Sequence, residues 1–193
     1  MTGDRAGAHG EVGAHVEGGV GGAWHAISRR RAIRRFADRP LEPGHLDRII
    51  AAGRRSGSSK NLQRWDFIVC RDRTHLEEMA ALGPWAGHIA GAAVAIALVT
   101  PDPHAPDAAL SILFDLGQAA ANMQLAAWEL GVGSCPATVY EHELARRLLG
   151  YPAERYCEYV LSFGYPADPT ELTAPLRTGQ RRALSEIVHE ERW

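Results

Sequence analysis

Lysine is almost missing from this chain: Lys60 is the only one among 21 basic residues, so nearly all positive charge is guanidinium charge. Such charge persists at any relevant pH and comes in planar forks. Cysteine is scarce as well, with Cys70, Cys135 and Cys157 making an odd set without CxxC spacing. That count disfavours a disulfide framework and a structural zinc site, and it fits a reducing compartment. The longest apolar stretch, residues 90–99, is too short to span a bilayer, and no signal-peptide core opens the chain. A cytoplasmic location is therefore expected. The net charge of -2 argues against a general binder of nucleic acid or acidic membrane. No GxSxG elbow surrounds Ser111 or Ser134, so there is no case for a hydrolase. His88 and His104 lack metal-ligand spacing and read as surface residues, and Cys135 reads as a small buried hydrophobe.

What is present is enough chain, 193 residues, to bury a core without staples. Residues 1–22 hold eight glycines and few large apolar side chains, which predicts a disordered tail. A single domain over 23–193 is expected to follow. Its signals alternate. A helix is expected over residues 24–31, and a second opened by Pro43 carries Leu46, Ile49, Ile50 and Gly53 at helical spacing. Thr74 with Glu77 suggests a capping box. Residues 107–130 form a helix apolar on nearly all sides, expected to be surrounded by protein and stopped by Gly131. Another short helix spans 144–149. Strands are expected over 67–70, 94–99 and 159–163, with a strand or loop over 132–139. Strands and helices mixed without regular βαβ spacing point to an α+β sandwich.

Two stretches carry chemistry. Five arginines lie between Arg29 and Arg35, and a second pair, Arg181-Arg182, stands in a loop-like tail. Alone, the first block reads as a solvated helix end. Together the two could clamp a phosphate bidentately. Ser58-Ser59-Lys60-Asn61-Leu62-Gln63 supplies directional donors and acceptors of the kind that read hydroxyls or a heterocycle edge.

The ordered set resembles the nitroreductase family of flavin-binding oxidoreductases. Arg30-Arg31-Ala32-Ile33-Arg34-Arg35-Phe36 looks like that family's R-x-S-x-R-x-F opening, and residues 58–65 look like its P-S-S-x-N-x-Q-P-W loop. Leu125-Ala126-Ala127 through Gly131-Val132-Gly133 looks like its L-A-A-x-x-L-G-x-G segment, and Arg181-Arg182 like its closing basic element. The resemblance implies an α+β fold with a central mixed, largely antiparallel sheet flanked by helices, in an intertwined homodimer with FMN at the subunit interface. It implies phosphate contacts from Arg30, Arg31, Arg181 and Arg182, and from the main chain of Ala32, where the family has serine. Arg34 would reach the pyrimidine edge and support catalysis, with no essential side-chain acid or base. Ser58, Ser59, Asn61 and Gln63 would touch the flavin held by the partner. Pro136, Ala137 and Thr138 would lie along the ring, with the Thr138 N–H facing N5. The implied reaction is ping-pong hydride transfer from NADH or NADPH to a nitroaromatic, quinone or similar acceptor. Gly57 and Arg64 replace the loop's two prolines; the alternative, suggested by Ala32 and Arg64, is a flavin-binding or flavin-processing protein with little nitroreductase turnover.

Overall fold

The computed structural model describes residues 22–175 and 181–193; the glycine-rich tail expected over residues 1–22 falls almost wholly outside them. In chain order the helices are α1 (Ala23–Arg29), α2 (His45–Arg54), α3 (Arg73–Met79), α4 (Ser111–Glu129), α5 (His142–Leu149) and α6 (Thr170–Thr173). The strands are β1 (Asp66–Cys70), β2 (Val94–Pro101), β3 (Gly133–Thr138) and β4 (Arg155–Gly164). They form one sheet in the order β1-β2-β4-β3 with every neighbouring pair antiparallel. A single parallel bridge, Ala32 to Ser134, adds the mixed character at the outer edge of β3.

Strand β2 shows why the sheet lies in the middle. Ala95, Ala97 and Val99 face a core with Leu76, Met79, Leu82 and Ile89, whereas Val94, Ile96 and Leu98 face a second core with Ile49, Leu116 and Met123. A strand buried on both faces reads as an unbroken apolar run, as residues 94–99 do. Its register with β4 shifts between Leu98 and Val99, where Glu158 bulges out. The bulge lets Cys157 and Val160, three positions apart, both enter the first core.

Several boundaries differ from the sequence expectation. Helix α1 stops at Arg29, because residues beyond it turn extended to dock on β3. Pro43 is not in the first helical turn; Gly44, in a left-handed conformation (φ 82°), caps α2. The cap of α3 is Asp72, whose side chain accepts from the His75 N–H, so Thr74 lies inside the helix. Helix α4 begins at Ser111 rather than 107, and it is not surrounded: Leu110 and Phe114 are exposed. Gly131 (φ 71°) and Gly150 (φ 67°) end their helices as expected.

Candidate active site

Arg29 of the arginine block ends α1 and Arg30 caps it, but the rest of the block leaves the helix. Residues 30–37 lie extended against the sheet, with the Ile33 N–H donating to the Ser134 carbonyl (3.0 Å) and the Ala37 N–H to that of Tyr165 (2.8 Å). Two missing side chains make room. A Cβ on Gly133 would sit 2.7 Å from Ile33 Cβ, and one on Gly164 would sit 2.9 Å from Phe36 Cδ1. Ile33 is fully buried, and extended alternation turns Ala32 and Arg34 outward.

Strand β3 is an edge strand, and its hydrogen-bonding alternation matters. Ser134 gives its carbonyl to Ile33 rather than to β4. In an antiparallel ladder, residues 136 and 138 then also aim their main-chain groups outward. Pro136 fits there because no N–H is required of it. The Thr138 carbonyl faces Gly83, where a Cβ would approach it to 2.8 Å. The Thr138 N–H is left as an outward donor that the sheet does not use. Two residues back along β3, at Pro136, opens a cleft of about 630 Å³ lined by Arg34, Pro84, Trp85, Gly87, His88 and Pro136. Ala137 points the other way, its side chain buried in the core, so only its main chain can serve the cleft.

His88 is not the surface residue its isolation in the sequence suggests. It is half-buried, and its Nδ1 lies 2.8 Å from Ser162 Oγ, whose hydroxyl donates to the Cys135 carbonyl (3.2 Å). Burial first, and then the Arg34 charge, push its pKa below the usual histidine value, while the Pro136 carbonyl pulls the other way. Burial raises the Cys135 thiol, with Arg34 opposing. His104, by contrast, is exposed beside Glu158 as a surface histidine should be (3.2 Å).

One member of the second arginine cluster comes near the first. Burial, and behind it the Arg181 charge, lower the pKa of Arg30, which places the two guanidiniums within electrostatic reach. Arg30 and Arg31 border a small cavity with Gln124, Trp128, Gly133 and Ser134. Like charges gathered this way favour an anion between them. Arg31 donates to the Ala174 carbonyl and its buried Nε has no partner among the described residues. Arg182 is turned to Glu186, with Nε 3.4 Å from Oε2.

The polar loop stands apart. Lys60, Asn61 and Gln63 have φ of 52°, 54° and 46°, a strained run for side-chain-bearing residues. Asp115, buried in α4, accepts from the Ser59 N–H (3.0 Å), and Ser58 Oγ accepts from the Gln63 N–H (3.0 Å). Arg64 reaches Ser111 Oγ (3.3 Å). None of Ser58, Ser59, Asn61 or Gln63 lines the cleft or the arginine cavity of its own protomer. So Arg34 shares a cleft with Pro136, Arg30 shares a cavity with Arg31 within electrostatic reach of Arg181, and the loop joins neither. The sequence reading leaves out Trp85 and Asp115 and places His88 on the surface; the Gly83-Pro84-Trp85 turn before an apolar strand was the available signal for Trp85.

Comparison with known proteins agrees with this architecture. The sequence profile of the Nitroreductase family matches residues 27–87 and 81–165. A protein of Archaeoglobus fulgidus named "Putative NADH dehydrogenase/NAD(P)H nitroreductase" is 32% identical over 172 residues, covering 86% of this chain and 96% of the relative. A Methanothermobacter thermautotrophicus protein of the same name is 32% identical, covering 83% of this chain and 86% of its own. The crystal structure of an FMN-dependent nitroreductase from Clostridium difficile superposes with a TM-score of 0.74 at 26% identity, covering 87% of this chain and 98% of that one. The arginine-bearing segment, the open edge of β3 and the strained loop thus stand in a chain that belongs to the nitroreductase family.

Proposed function

We propose that this oxidoreductase binds FMN along the outer edge of β3 and carries hydride from NADH or NADPH to a small conjugated acceptor by a ping-pong mechanism. The observation that carries the reading is the order of groups on one strand edge. Guanidiniums gather beside Ser134, and an unused N–H opens at Thr138, four residues or about 13 Å further along. The residues present fit the group: an anion site with an unpartnered buried Arg31 Nε at one end, and a donor-lined cleft at the other.

Arg30, Arg31 and Arg181 hold the phosphate, with Arg182 joining by leaving Glu186; Ala32 offers only its main chain. Bound there, FMN would supply the hydride chemistry. Arg34 sets its charge against the pyrimidine edge and favours negative charge there. The Thr138 N–H would serve as the donor facing N5, and Pro136 and the Ala137 main chain would flank the ring. Because Ser58, Ser59, Asn61 and Gln63 stand away from their own cleft, they contact the flavin of a second copy, which makes the working unit a homodimer. No helix among the described residues is long and apolar enough to cross a membrane. We take the protein to work in the cytoplasm as a single domain over residues 23–193, on small molecules and not on nucleic acid.

The test is an absorbance spectrum of the protein incubated with FMN, taken before and after NADH or NADPH is added without oxygen. Flavin bands that bleach and return with a quinone support the reading. Bands that persist with both donors favour the second reading, a flavin-binding or flavin-processing protein, which the missing hydroxyl at Ala32 already suggests. No bound flavin overturns both.

A further inference from the structure

We propose that His88 is the proton carrier of the cleft, its Nε2 delivering a proton to the acceptor oxygen as the hydride arrives. The inference rests on the oxidoreductase reading above. Reducing a quinone to a hydroquinone takes one hydride and one proton: the nicotinamide donor loses the hydride, and the acceptor gains both. Nε2 takes a proton from solvent once the cleft holds negative charge and gives it to the acceptor oxygen, so His88 ends the cycle neutral, as it began it. Of the six residues lining the cleft, Pro84, Trp85, Gly87 and Pro136 have no side chain that exchanges protons. Arg34 does not release its proton in a protein. His88 remains.

The geometry suits one tautomer. The Ser162 hydroxyl donates to the Cys135 carbonyl (3.2 Å). With that hydrogen spent, Ser162 Oγ can accept from His88, 2.8 Å away, in the tautomer that carries its hydrogen on Nδ1 and its lone pair on Nε2. Nε2 is buried and has no partner among the described residues. The groups facing the ring are Arg34 from the docked segment, the Cys135 thiol and Pro136 carbonyl from β3, and the Ser162 hydroxyl from β4. Burial and Arg34 keep the ring neutral at rest. Negative charge arriving beside Arg34 offsets that guanidinium, and the imidazole then gains affinity for a proton.

His88→Asn keeps a donor near the position of Nδ1 and removes Nε2, so it separates the two nitrogens. In FMN-loaded protein, the protons taken up per flavin reduced are read from the pH dependence of the midpoint potential. Wild type is expected to take up one more than His88→Asn near neutral pH, and reoxidation by a quinone is expected to slow tenfold or more in the variant. Ring 15N spectra of the wild-type holoprotein give a second readout that needs no variant to fold, with His88→Gln assigning the signal. A neutral Nδ1–H ring that becomes an imidazolium on reduction supports the role. Equal proton uptake, or a ring that stays neutral, overturns it while leaving flavin function standing. Failure of the wild type to bind FMN overturns the function and the role together.

Discussion

Arg34 and Cys157 make opposite uses of burial. Arg34 is exposed in the cleft, and its charge acts on His88 and Cys135 on either side. Since the arginines proposed to hold the phosphate are separate residues, Arg34→Gln is expected to slow flavin reduction by NAD(P)H about tenfold, a loss of ~1.4 kcal/mol, while shifting FMN affinity less. Stopped flow and FMN titration read the two effects, and an unchanged reduction rate removes the role. Cys157 is fully buried in the α3–α5 core, and burial pushes its thiol up to about 12 from an ordinary 9.0. Below pH 9 both folded and unfolded chains keep that proton, so stability is unaffected there. Between 9 and 12 the unfolded chain loses it first, and stability falls as pH rises. At pH 11 the loss from this one group is roughly 2–3 kcal/mol. Urea midpoints at pH 8 and 11 are expected to fall less in Cys157→Ala than in wild type; an identical fall shows that another group is responsible.

The segment over residues 30–37 is held as an element by what β3 and β4 omit. Gly133→Ala drives a Cβ to 2.7 Å from Ile33 Cβ, a branched centre with no rotamer to retreat into. Overpacking of this kind costs about 1–3 kcal/mol. Relief by lifting the segment also displaces Arg30, Arg31 and Arg34, so FMN affinity is expected to fall with stability; a variant that loses stability alone separates the docking from the site. The same segment shows what could be read in advance. Strand β2 and helix α4 were legible because their apolar patterns are local. The docking was not, because the glycines that receive Ile33 and Phe36 lie about a hundred residues away. Asp72 outcompeted Thr74 as a cap although both are capping types, and Pro43 stands one position before the Gly44 that starts α2. Strand β4 was under-read at its start because the Glu158 bulge breaks the two-residue alternation there. The arginines, the polar loop and Pro136 were visible as motifs. A lone histidine has no motif, so His88 needed the fold.

The described protomer exposes more apolar surface than its cores account for. Leu110 is fully exposed and Phe114 71% exposed, with Leu113 open beside them, and Gly117 and Ala121 extend the stripe along the outer face of α4. Large residues at one end and small ones along the middle let a second helix seat closely. Trp24 and Ile27 on α1, and Leu184, Ile187 and Trp193 near the end of the chain, are open as well. Patches of this kind mark interfaces. On the proposed reading a second copy would cover them, and it would also give Ser58, Ser59, Asn61 and Gln63 a flavin to touch, since they miss their own cleft. Phe114→Glu sets a charge into the proposed contact without disturbing the core, because Phe114 faces outward. Sedimentation velocity is expected to give a dimer for wild type and a monomer for Phe114→Glu, with FMN affinity at least tenfold weaker in the variant. If association and flavin binding share one interface, neither can be lost alone: a stable monomer with full flavin occupancy would mean that each cleft is complete by itself.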